Sequence, residues 1–114
     1  MSRLRITLGD TIVTVILNNS RTAGLVKDVV PFASTAQRWG KEVYFQTPVE
    51  ADEETAQADV PSGTIAYWPP GRALCLFFGQ EPYSPVNVVG SIEGDATILA
   101  AVKDGEPVSV EIER

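Results

Sequence analysis

No histidine occurs in this chain of 114 residues, and it has one cysteine and one methionine. The missing imidazole excludes Ser-His-Asp and Cys-His nucleophilic catalysis and any histidine-ligated metal centre. It also removes the one side chain whose unperturbed pKa lies near neutrality. A single thiol, Cys75, rules out an intramolecular disulfide and a cysteine-rich metal site, so no metal and no other cofactor is expected. Basic residues are also few, 9 against 15 acidic ones for a net charge of −6. They are scattered singly, which does not suit a phosphate-backbone partner. No run approaches the roughly 18 apolar residues that a membrane-spanning helix needs. The opening MSRLRITLGD alternates like a strand and does not resemble a secretion leader. The expectation is a cytoplasmic protein without a nucleic-acid or membrane partner, its oligomeric state open.

What is present is an ordinary globular composition, 44% apolar and 21% charged, enough for a single domain over residues 1–114 with a real core. The periodicity is mostly that of strands. Leu4, Ile6 and Leu8 alternate with Arg3, Arg5 and Thr7. Gly9-Asp10 breaks the run, and the β-branched stretch Thr11–Leu17 follows as the second arm of a hairpin. Asn18-Asn19-Ser20 then supplies an N-cap for a helix over Arg21–Val30, ended by Pro31. Residues 31–39 suit either an extended strand or a second short helix. Glu42–Thr47, EVYFQT, is a strand rich in aromatic and β-branched residues.

Glu50–Asp59 carries five acids and no base. It lacks the glycine and terminal glutamate of an EF-hand loop, so a solvated, mobile loop is expected. Strands follow at Thr64–Trp68, Arg72–Phe78 and Val86–Ile92. A short helix starts at Asp95 with Ile98, Leu99 and Val102 on its apolar side, and the strand Val108–Ile112 ends the pattern. Seven or eight strands in so short a chain close into a barrel or stack as a sandwich, because closure removes exposed edges.

The most distinctive stretch is Gly63–Gly90. It contains Tyr67-Trp68-Pro69-Pro70-Gly71, then Leu74-Cys75-Leu76-Phe77-Phe78, then Pro85-Val86-Asn87-Val88-Val89-Gly90. With Trp39-Gly40, Glu42-Val43-Tyr44-Phe45 and Thr47-Pro48 before it, this order of motifs resembles a family of small prokaryotic proteins with the cyclophilin-like fold, catalogued as a domain of unknown function. The resemblance spans essentially the whole chain. It implies a mainly β fold, a closed barrel of about eight strands with two short capping helices. It also invites comparison with peptidyl-prolyl isomerases. Phe45-Gln46 stands where those enzymes have a strand ending in a pocket glutamine. Gly63-Thr64-Ile65-Ala66 and Phe77-Phe78 match their groove-lining strands, and Asn87 stands where they have a pocket histidine. Their arginine-bearing motif has no counterpart, since Arg38 precedes Trp39 in another context. Enzyme activity is therefore left open.

The residues singled out as ligand-binding are Phe45, Gln46, Tyr67, Trp68, Arg72, Phe77 and Asn87, with no catalytic group assigned. Trp68 offers a flat ring on a rigid turn, and its bond to Pro69 suits either the cis or the trans form. Arg72, the sole arginine in the apolar stretch, suits a carboxylate or carbonyl, or else a partner in the acidic loop. Asn87 in an apolar strand must find partners, in a loop or in a ligand. Cys75 reads as an inert core thiol. Phe77 and Phe78 point to opposite faces of their strand. The expected partner is a small carboxylate or a peptide held in a groove on the barrel. The alternatives are a divergent prolyl isomerase using Arg72, or a subunit of an amide-hydrolysing or ring-opening assembly.

Overall fold

A computed structural model describes residues 2–113. Nine strands form one antiparallel sheet: β1 Arg3–Leu8, β2 Thr11–Leu17, β3 Phe32–Thr35, β4 Gln37–Arg38, β5 Glu42–Gln46, β6 Thr64–Trp68, β7 Ala73–Phe77, β8 Asn87–Glu93 and β9 Pro107–Ile112, in the spatial order β3-β9-β1-β2-β8-β6-β7-β5-β4. The two outermost strands of that order are consecutive in the chain. Residues 32–35 pair with β9, residues 37–38 pair with β5, and Ala36 between them is fully buried. One continuous segment therefore joins the two ends of the sheet and nearly closes the barrel, and within residues 31–39 Phe32–Thr35 and Gln37–Arg38 resolve as strand. Edges of this kind invite pairing with other chains, and closure removes them.

Alternation sorts the side chains. Leu4, Ile6 and Leu8 of β1, Val13 and Val15 of β2, Val43 and Phe45 of β5, Ile65 and Tyr67 of β6 and Leu74 and Leu76 of β7 all turn inward to one core. Gly90 of β8 admits no side chain, because a Cβ there would overlap the Ile16 carbonyl of the neighbouring strand. Helix α1, Arg21–Val29, begins at Ser20, whose hydroxyl accepts from the Ala23 N–H (3.1 Å), and it buries Thr22, Ala23 and Val26. The segment after β8 is a 3-10 helix, Ala96–Ala101, capped by Asp95. Its inward residues are Ala96 and Leu99, whereas Ile98 points out and is 46% exposed, because a three-residue repeat aligns positions 96, 99 and 102 and leaves 98 off that face, where an α-helix would bring 98 beside 102.

The Pro-Pro-Gly corner is a single 3-10 turn, Pro69–Gly71, that leaves Arg72 in the left-handed region at φ 50°. The Trp68-Pro69 bond is trans, and the cis peptide bond is Val30-Pro31. The acidic segment is exposed along most of its length but is docked at several points, one of them at the start of α1. Glu54 accepts the N–H groups of Arg21 (2.9 Å) and Thr22 (2.8 Å) and the Thr22 hydroxyl (2.6 Å), so it caps the first turn of α1. The expectation of a mobile loop overlooked this contact, which joins residues far apart in the chain.

Candidate functional site

The outer face of β5-β7-β6 is apolar, unlike the outside of the hairpin β1-β2 with its Arg3, Arg5 and Thr14. Alternation puts Glu42 and Tyr44 of β5, Cys75 and Phe77 of β7, and Ala66 and Trp68 of β6 on this face. Two loops rise over it. Residues 57–63 bring Val60, and residues 79–86 bring Pro82, Tyr83 and Val86, with Gln57 and Val86 joined by a two-way backbone bridge. Between loop and sheet lies a cavity of about 230 Å³ lined by Trp39, Glu42, Tyr44, Trp68, Cys75, Phe77, Pro82, Tyr83 and Val86.

Each wall is fixed by an identifiable contact. Trp39 and Glu42 exchange backbone hydrogen bonds across the Gly40-Lys41 turn, which places both side chains on the cavity face. Arg38 anchors that turn. Its guanidinium donates to the carbonyls of Gly40, Ala100 and Val102 and lies 5.2 Å from the Phe78 ring centre. Gln80 Oε1 accepts from the Lys41 N–H (2.6 Å), tying the 79–86 loop to the same turn. Trp39 and Tyr83 then meet edge to face, with ring centres 5.9 Å apart at 80°. The Trp68 indole N–H donates to Ser84 Oγ (2.6 Å), and Gly71 lacks a side chain where a Cβ would overlap the Trp68 ring.

Glu42 is the one charged residue among these linings. It is 6% exposed and takes part in no ion pair among the described residues. Burial pushes its carboxyl pKa upward, partly offset by the neighbouring Cys75 thiol. Burial, and then the Glu42 charge, push the Cys75 thiol well up, so it stays a neutral, unreactive group.

The seven residues singled out from the sequence are dispersed. Trp68 and Phe77 stand in the aromatic cavity. Phe77 points outward and Phe78 inward, as their adjacency requires. Gln46 lies with Phe45 and the far side of Trp68 along a second, more polar depression bordered by Ser34, Thr35 and Gln37, and the Phe45 ring itself is fully buried in the core. Tyr67 is also inside the barrel, donating to the Val49 carbonyl (2.8 Å) and accepting from the Ala51 N–H (3.3 Å). Arg72 pairs with Glu50 of the acidic loop (2.8 Å), both largely exposed. Asn87 is 1% exposed and spends its amide on protein: it accepts from the Glu54 N–H (2.8 Å) and donates to Asp52 O (2.9 Å) and Thr22 Oγ1 (3.2 Å). Trp39, Glu42, Tyr44 and Tyr83 were not singled out. The signal for two of them was legible, since in EVYFQ the period of two sets Glu42 and Tyr44 opposite the core residues Val43 and Phe45.

A nearly closed antiparallel barrel carrying a loop-roofed aromatic pocket on its outer face defines the structural class. The family described as Cyclophilin-like matches residues 2–111, and the chain belongs to that family. It is similar to the hypothetical protein AF2241 from Archaeoglobus fulgidus, whose solution structure superimposes with a TM-score of 0.84 at 39% identity, covering 98% of this chain and 95% of that one. The fold is also that of McbB, solved in complex with tryptophan, with a TM-score of 0.76 at 19% identity over 95% of this chain and 44% of McbB. No curated protein matches the sequence.

Proposed function

We propose that this chain is a binding domain that takes a small molecule, or a side chain of a peptide, into the aromatic cavity on the outside of its barrel. The observation that carries this reading is the cavity itself. Five aromatic rings, from Trp39, Tyr44, Trp68, Phe77 and Tyr83, surround one carboxylate. Concave, mostly apolar sites with a few placed polar groups are what ligand binding requires. At about 230 Å³ the space is smaller than the roughly 300–1,000 Å³ of drug-sized sites, so it suits a head group or a single side chain. A ligand carboxylate would meet Glu42 there, while Arg72 faces Glu50 in another part of the surface. The tryptophan bound by McbB makes a ring-bearing amine a natural first probe.

The test is a titration followed by ¹H–¹⁵N spectra, using tryptophan, other aromatic amino acids and short peptides. Saturable shifts at the Trp39 and Trp68 indole signals and at the backbone of Glu42, Tyr44, Phe77 and Tyr83 are expected. A panel that moves none of these signals rules the reading out.

A further inference from the structure

The cavity combines two features that recognise one kind of chemical group. Its walls are mostly aromatic rings, whose faces attract positive charge through the aromatic quadrupole. Its charged group, Glu42, is a carboxylate, more than nine-tenths buried and without a cationic partner among the described residues. Two of the other polar groups in the lining are already engaged: the Trp68 N–H donates to Ser84 Oγ, and the Tyr44 hydroxyl donates to Gln37 Oε1 (3.4 Å).

A metal ion does not fit this set. Hard cations take six or more oxygen ligands, and no group of three or more His, Cys, Asp or Glu side chains among the described residues could hold a metal ion. An anion would lie against Glu42. A neutral apolar group would satisfy the walls and leave the carboxylate buried without a counter-charge, which is costly. A cation clothed in methyl or methylene groups satisfies both. The net charge of −6 adds a long-range bias toward such a ligand.

Resting on the reading of this cavity as a binding site, we propose that its ligand carries an alkylated ammonium group, which enters between Trp39, Trp68 and Tyr83 and pairs with Glu42. The aromatic rings hold the alkyl shell, and the carboxylate supplies the counter-charge at the floor. Glu42 is the residue that decides between charged and neutral ligands of the same shape.

The experiment compares choline with 3,3-dimethylbutan-1-ol, which has the same shape with carbon in place of the charged nitrogen. Binding is read from tryptophan fluorescence and from the Trp39 and Trp68 indole signals. Choline is expected to bind at least tenfold more tightly than the alcohol. Glu42→Gln, which keeps shape and hydrogen-bonding capacity, should abolish that preference while its spectrum elsewhere stays native. Trp39→Ala should weaken choline at least tenfold. Equal binding of choline and the alcohol, or a preference that survives in Glu42→Gln, overturns the ammonium assignment and leaves the cavity as a site for neutral ligands. If choline, the alcohol and tryptophan all fail to shift the indole signals, both the assignment and the binding reading fall.

Discussion

At the scale of single residues, the site and the stability of the protein pull in opposite directions at Glu42. Its carboxyl pKa is raised above the ordinary 4.5 because burial disfavours the charged form. The folded state then binds that proton more tightly than the unfolded chain does. Stability from this group is therefore fully present below the unfolded value. It falls as pH rises from about 4.5 through the raised folded value. Glu42→Gln removes the loss, so the variant should be more stable than the parent at pH 7, by about 1 kcal/mol if the site behaves as a partly compensated buried charge. The gap should close in urea melts carried out below pH 4.5. A variant that is less stable than the parent at neutral pH would show that the carboxylate has a structural partner. Thr47 offers a comparison free of function. Its hydroxyl is buried without a hydrogen-bond partner, so Thr47→Val should raise stability by about 1 kcal/mol at any pH, measured in the same melts.

At the scale of elements, the informative contact is the one that joins α1, the acidic loop and β8. Asn87 holds Asp52 and Glu54 from below, and Glu54 caps Arg21 and Thr22 from the side, so three distant segments share one hydrogen-bond network. Asn87→Ala would leave the Glu54 N–H and the Asp52 carbonyl without their partner, and the Thr22 hydroxyl with its bond to Glu54 alone. A loss of about 2–3 kcal/mol is expected, with faster amide exchange in residues 52–54 and at the start of α1. Exchange that stays unchanged there would mean that the loop is held by other contacts. Glu54 adds a pH dependence. The Thr22 hydroxyl and the Thr22 and Arg21 amides hydrogen-bond its carboxylate and lower its pKa, so its contribution is present above 4.5 and is lost as pH falls through the lower folded value.

This network also marks where the sequence stopped being legible. The strands, the hairpin at Gly9-Asp10 and the Ser20 cap follow from local pattern, because alternation and capping are decided within a few residues. The cap from Glu54 is 32 residues from Thr22, and nothing in EADEETAQAD distinguishes Glu54 from its four acidic neighbours. Asn87 was rightly read as needing partners, but whether loop or ligand supplied them depended on the tertiary fold. The aromatic cavity is a similar case. Trp68 was visible as a ring on a rigid turn, and Phe77 and Phe78 as rings on opposite faces of one strand, whereas Trp39 and Tyr83 become neighbours through loops that Gln80 ties together.

At the scale of the whole molecule, the barrel depends on one narrow seam. Residues 32–38 carry the first and last strands of the sheet order, and β4 contributes only two residues to its pairing with β5. Ala36 is the hinge: its N–H donates to the Glu106 carbonyl (2.9 Å), its carbonyl accepts from the Gly105 N–H (2.8 Å), and its side chain is fully buried. Closure matters for the site as well, since the same segment leads directly into the turn that carries Trp39. Ala36→Pro deletes the N–H and places a ring where the core is closed, at a cost of about 3 kcal/mol. The chain should still form the strands away from the seam, but β5 and β9 would each present an unpaired edge. Two measurements then move together. Amide exchange accelerates across β3, β4 and β9, and the protein associates in a concentration-dependent way in sedimentation. Ligand-induced shifts at the Trp39 indole should weaken by more than those at Trp68, because β6 and β7 lie away from the seam. A variant that sediments as the parent does, with native exchange across β9, would show that the barrel is held shut by the core alone and that the hydrogen bonds at Ala36 are dispensable.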